Sequence, residues 1–193
     1  FDTHLLAYQS EVEALKRFLP SHGLGVEIGV GTGRFANEFA ITLGVEPSEA
    51  MAAIARSRGI TVHRAEAESL PFGKETFDFV LLVNVLCFVR DSLRSLQEAH
   101  RILRPHGRII LGIIDRETEL GRTYESMKAW NRFYSQATFF STQEVIALLR
   151  HAGFDHVQAC QTMFSNPDTM NQPDSVCDGY GEGAFVVLTT LKG

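Results

Sequence analysis

One stretch constrains this chain more than any other: a short apolar run, Val26-Glu27-Ile28, followed at once by Gly29, Gly31 and Gly33. Glycine accepts positive φ and lets another group approach the backbone, so three alternating glycines make a tight bend. The residues after the bend, Arg34 to Ala40, read as a short helix. A buried strand, a tight turn and a helix in that order form the opening unit of an α/β sheet with crossovers.

The rest of the chain keeps that rhythm. Strands are expected at 41–46, 60–64, 77–83 and 108–114. Phe77 to Val83 is almost wholly apolar, as a strand covered on both faces should be. Between them come a helix opened by Pro47-Ser48 and closed by Gly59, and a helix over 91–103 stopped by Arg104-Pro105-His106-Gly107. A leading helix over 3–19 carries Leu5, Tyr8, Val12, Leu15 and Leu19 on one face. Ser141 and Glu144 form a capping box ahead of another helix, which Gly153 closes. Two final strands, 156–164 and 184–191, flank a long polar loop, 165–183. The reading is one domain over 1–193: leading helix 3–19, core 24–115, an aromatic segment 115–140 outside the rhythm, and a C-terminal helix and strand pair, 141–193.

Composition narrows the function. The 193 residues suit one domain with a full core, and the net charge of −5 argues against a phosphate-backbone partner. No apolar run approaches the roughly 20 residues that cross a bilayer. Phe1-Asp2-Thr3-His4 lacks the cationic start of a signal peptide. Cys87, Cys160 and Cys177 are far apart, and the seven histidines show no metal-ligand spacing. These features point to a cytoplasmic, reducing setting without membrane, nucleic acid or metal.

The glycine turn is where chemistry belongs. It ends a parallel strand and feeds a helix start, which suits a nucleotide-like ligand. By itself such a turn is also compatible with a plain tight bend. Glu46 closes the second strand, where a carboxylate can accept from both hydroxyls of a ribose. Arg34 stands where the dinucleotide fingerprint G-x-G-x-x-G needs its last glycine.

Glu27-x-Gly29-x-Gly31-x-Gly33 resembles motif I of the class I S-adenosylmethionine-dependent methyltransferases. Further matches follow in order. Glu46-Pro47-Ser48 resembles the acidic end of their second strand, and Ala65 to Phe72 their adenine-side loop. Phe77-Asp78-Phe79-Val80 resembles the start of strand four. Arg101 to Gly107 resembles the turn before strand five, with His106 in place of a glycine. The resemblance covers residues 24 to 115 and is nearest to small, single-domain enzymes similar to quinone-biosynthesis methyltransferases. It implies a Rossmann-like, seven-stranded, mostly parallel sheet with helices on both faces and an antiparallel last strand. It also implies S-adenosylmethionine as cofactor and a small-molecule methyl acceptor.

The resemblance implies residue roles as well. Gly29, Val30, Gly31, Thr32 and Gly33 would surround the methionine part, with Glu27 beneath them. Glu46 and Pro47 would hold the ribose side, with Met51 near the adenine. Glu66 stands where the family has an Asp for the adenine amino group, and Ala67 and Glu68 would share that role. Asn84 and Val85 would lie near the amino-acid part and the sulfonium. For the acceptor side, the candidates are Asp115 after strand five and Tyr8 on the leading helix; packing also accounts for Tyr8.

Two readings stay open for the aromatic segment with Tyr124, Trp130, Phe133, Tyr134, Phe139 and Phe140: a lid over the acceptor, or the surface of a homodimer. Two alternatives to methyl transfer also stand. One is a silent methyltransferase-like module that binds the cofactor or a protein. The other is a nicotinamide oxidoreductase, against which Arg34 and the missing Tyr-x-x-x-Lys pair speak.

Overall fold

The computed structural model describes residues 4–128 and 135–193. Its centre is one sheet built from β1 (Gly25–Ile28), β2 (Leu43–Val45), β3 (Thr61–His63), β4 (Phe77–Val83), β5 (Leu103–Ile114), β6 (Gln158–Thr162), β7 (Cys177–Asp178) and β8 (Phe185–Leu191). The strand order is β3-β2-β1-β4-β5-β8-β6-β7. The first five strands of that order run parallel, and β8 enters antiparallel between β5 and β6. This is the expected Rossmann-like architecture. The chain builds outward from β1 in both directions, so β1 borders the switch point where open α/β sheets hold their ligands.

The strand count differs from expectation by one. β7 is a two-residue strand that pairs with β6 inside the connection expected to be a polar loop. Its brevity and the exposure of both residues hide it from any periodicity in sequence.

Alternation along β4 sorts the core into two layers. Val80 and Leu82 face one side with Leu96, Ala99 and Ile102 of α4 (Ser92–Ile102) and Val145 and Leu149 of α6 (Thr142–His151). Phe79, Leu81 and Val83 face the other with residues of α1 (Leu5–Lys16), α2 (Arg34–Glu38) and α3 (Glu49–Ser57). The helix ends obey local rules. Ser48 and Asp91 accept from the backbone of Met51 and Arg94, and Ser141 and Glu144 form the expected capping box. The 115–140 segment contains α5 (Glu119–Met127), capped by Thr118. Trp130, Phe133 and Tyr134 lie outside the described residues.

Two local readings are corrected. α1 ends at Lys16, and Leu5 is 54% exposed although it was placed on the apolar face. The buried face carries Ala7, Ser10, Val12, Ala14 and Leu15, because small side chains let the helix sit close to the sheet. The stretch Arg104 to Gly107 continues β5 across a register shift instead of only ending a helix. His106 has φ 63°, the left-handed conformation for which the resembling turn uses glycine.

Candidate functional site

The three glycines after β1 serve three different purposes. A Cβ on Gly33 would lie 2.4 Å from Ile60 Cδ1 and 3.1 Å from Ala55 Cβ, so this glycine lets α2 pack against α3 and the segment after it. A Cβ on Gly29 would meet the Val85 side chain at 2.4 Å. A Cβ on Gly31, where φ is 54°, would find only the Gly29 carbonyl, at 4.0 Å. The space at Gly31 belongs to a cavity of about 970 Å³ at the carboxyl ends of β1, β2 and β4.

Glu46 ties the turn to the next loop. Its Oε2 accepts from the Gly31 N–H at 3.0 Å and its Oε1 from the Ser48 N–H at 2.9 Å. The side chain is buried yet borders the cavity. An ionised carboxylate has about four acceptor sites, so two backbone donors leave capacity for a diol.

Most of the residues expected at the site do meet there. Gly29, Gly31 and Thr32 form one wall with Asn84 and Val85. Asn84 holds φ 55° just past β4 and donates its N–H to Gly112. Glu46, Pro47 and Met51 continue the wall toward Glu66 and Ala67. Tyr8 of α1 closes it from above, joined by Phe35, Phe88, Tyr124, Phe139 and Phe140. Tyr124 and Phe139 stack with ring centres 6.3 Å apart.

Five expected residues lie off the cavity wall. Val30 and Gly33 face the packing behind the turn. Glu68 is engaged locally: its Oε1 accepts from the N–H groups of Arg90 at 2.7 Å and Asp91 at 3.2 Å, steadying the approach to α4. Asp115 is a buried clasp. Its Oδ2 accepts from Thr142 Oγ1 at 2.6 Å and Thr142 N–H at 3.3 Å, and its Oδ1 from Glu117 N–H at 2.9 Å. Those bonds pin the end of β5 to the start of α6 and hold Asp115 off the cavity wall. Glu27 lies buried behind the turn, and its Oε2 has no hydrogen-bond partner among the described residues.

That burial holds the Glu27 carboxyl well above its ordinary value of 4.5, against the pull of a bond from the Ala36 N–H. The native state therefore keeps a proton that the unfolded chain releases above about 4.5. Stability from this group is full below that value and is lost as pH rises toward the native one. Glu27→Gln cannot titrate, so its stability will fall less between pH 5 and pH 8 than that of the wild type. Urea unfolding across that range checks this; parallel pH profiles would refute it.

Sequence reading missed Glu11 and Arg34. Both line the cavity, and Arg34 lies 4.2 Å over the Tyr8 ring. Glu11 is pushed up to about 7 by desolvation, which outweighs the pull of Arg34. The signal was present in the spacing: His4, Tyr8 and Glu11 follow at four and three along α1, on the face that looks into the cavity. Cys87 also reaches the wall, but burial pushes its thiol up to about 12, which suits packing more than nucleophilic chemistry. Among the described residues no cluster of His, Cys, Asp and Glu could hold a metal, and no helix is long and apolar enough to cross a membrane.

Known proteins are similar to this chain in sequence and fold. The model of a methyltransferase-domain family matches residues 26–111. A crystal structure from Thermotoga maritima, described as an S-adenosylmethionine-dependent methyltransferase and possible histamine N-methyltransferase, is 52% identical. It superposes with a TM-score of 0.97 over 99% of this chain and 92% of that one. An uncharacterized protein of Methanocaldococcus jannaschii is 47% identical across 100% of this chain and 93% of its own length. A ubiquinone/menaquinone biosynthesis C-methyltransferase of Geobacter sulfurreducens is 32% identical, covering 46% of this chain and 41% of its own length.

Proposed function

Because the chain belongs to the S-adenosylmethionine-dependent methyltransferases, we propose that it methylates a small molecule within the cavity beside Gly31. The observation that carries this is the open space at Gly31, continuous with Glu46 on one side and a ring-lined chamber on the other. When bound, the cofactor supplies a methyl group already activated by its sulfonium. The protein's own task is to align an acceptor, exclude water and hold charges still, and proximity and orientation alone can lower such a barrier by roughly 7–11 kcal/mol.

The residues divide that task. Gly29, Gly31 and Thr32 would seat the methionine part, and Asn84 and Val85 would border the sulfur. Glu46 would accept from the ribose hydroxyls. Pro47, Met51, Glu66 and Ala67 would enclose the adenine. The acceptor would enter the chamber walled by Tyr8, Phe88, Tyr124 and Phe139. Its size supports a small molecule, since ligand cavities of about 300–1,000 Å³ are mostly apolar with a few polar anchors. The open chamber also favours catalysis over a silent module, whose acceptor space would be filled by side chains. The description of the Thermotoga protein adds an amine nitrogen to the acceptors this reading favours.

The test is calorimetric. S-adenosylmethionine and S-adenosylhomocysteine are expected to bind at micromolar strength or better, and methyl transfer to appear within a panel of small acceptors that includes histamine. A flat titration with folded protein would remove the cofactor placement. Firm cofactor binding without turnover on any small acceptor would return the silent module.

A further inference from the structure

Glu98 lies off the cavity wall and is nevertheless buried, 5% exposed, in the middle of α4. A buried carboxylate is costly unless it is paired and hydrogen-bonded. Its partner is Arg101, whose Nε donates to Oε1 at 2.7 Å and whose Nη2 donates to Oε2 at 2.8 Å, a two-pronged contact. That contact holds the Glu98 carboxyl below its ordinary value of 4.5. Replacing such a pair by apolar side chains is often neutral or stabilising, so stability alone gives a weak account of it.

The pair also reaches across to another segment. Glu98 Oε2 accepts from the Leu70 N–H at 2.9 Å, and Arg101 donates from Nη2 to the Leu70 carbonyl at 3.2 Å and from Nη1 to the Phe72 carbonyl at 2.8 Å. Arg94 Nε donates to the Glu68 carbonyl at 3.3 Å. Arg94, Glu98 and Arg101 follow at four and three, so one stripe of α4 grips the main chain of residues 68–72. Those residues form no helix or strand, and the stripe supplies partners that no ladder gives them. Directly before them, Ala65, Glu66 and Ala67 line the cavity. Each bond of the stripe is directional, so it fixes the position of this wall along α4 as well as its distance from the helix.

Resting on the cofactor placement proposed above, we infer that Glu98 and Arg101 are positioning residues for the base of the cofactor, holding residues 65–67 in the shape that the adenine meets. Neither side chain touches the ligand; both act through the main chain at Leu70 and Phe72. The wall is thereby formed before the cofactor arrives, which lowers the ordering cost of binding.

Two probes that differ only at the base read this: S-adenosylhomocysteine, and S-inosylhomocysteine, in which a carbonyl replaces the amino group. In calorimetry the wild type is expected to favour S-adenosylhomocysteine by about tenfold to a hundredfold, the worth of a buried polar group left without its partner. The double variant Glu98→Leu, Arg101→Met removes both charges together and is expected to bring the two affinities within about threefold of each other. Arg101→Lys keeps the charge but not the fork, and its preference is expected to fall between the two. Val187→Ala, a core truncation on β8 in the opposite layer, is expected to lower the melting temperature and keep the full preference. A preference undiminished in the double variant overturns the proposal; should that variant not fold, an undiminished preference in Arg101→Lys does so. A preference that Val187→Ala diminishes as much also overturns it, and so does a wild type that binds both probes alike. If neither probe binds the wild type, the cofactor placement itself fails, and that result is distinct from the others.

Discussion

Gly31→Val will fold and will fail to bind S-adenosylhomocysteine. The new Cβ meets no protein atom closer than the Gly29 carbonyl at 4.0 Å, so the native packing has nothing to yield. The backbone there has φ 54°, which a branched side chain adopts at a cost of about 1–3 kcal/mol. That is a fraction of the roughly 5–15 kcal/mol by which a domain is stable. The side chain instead occupies the space in which the methionine part is placed. The loss of affinity should exceed about a hundredfold, the equivalent of about 2.8 kcal/mol. Gly33→Val is the control with the opposite outcome. There the side chain collides with Ile60 and Ala55, so the melting temperature falls first. Calorimetry and circular dichroism on both variants separate the two glycines. Gly31→Val with unchanged affinity would remove the cofactor from this turn.

Glu46→Ala is expected to damage binding and stability together. The carboxylate accepts from Gly31 and Ser48, and its removal leaves two part-buried backbone donors without their acceptor. Two such bonds to a charged group bring a stability loss of about 3–6 kcal/mol, visible in urea unfolding. If Glu46 also holds the ribose, affinity for S-adenosylhomocysteine falls about a hundredfold, an amount consistent with two charge-assisted hydrogen bonds. Glu46→Gln keeps the shape and one acceptor oxygen but turns its NH2 toward the other backbone donor, so it should lose part of that stability and bind with intermediate strength. Full affinity in Glu46→Gln and Glu46→Ala alike would leave this residue with a purely structural duty.

Motif and fold were legible in the sequence for one physical reason: both are written in local chemistry. The apolar run of β4 announces burial on both faces, and β4 does divide its residues between two cores. Ser141 and Glu144 announce a helix start because the capping box closes within four residues. The glycine turn and Glu46 announce a ligand site because their roles depend on backbone conformation and position at a strand end. The first of these roles can be read off a single turn of chain.

What lay beyond sequence depends on where separate segments meet. Asp115 and Glu68 looked available as carboxylates at the rim, yet Thr142 and the backbone at Arg90 and Asp91 claim them. Their partners are 22 to 27 residues away, and no local pattern encodes that encounter. Three glycines with the same spacing look alike in sequence, and all three adopt positive φ. Which of them borders open space is decided by Val85, Ile60 and Ala55. The residue type alone determined that the turn could form and that a carboxylate would close β2. Only the packing of α1 over α2 decided that Tyr8, Glu11 and Arg34 face the same cavity. Direction of a side chain is a property of the assembled layers, because a helix face acquires its meaning from what it is set against.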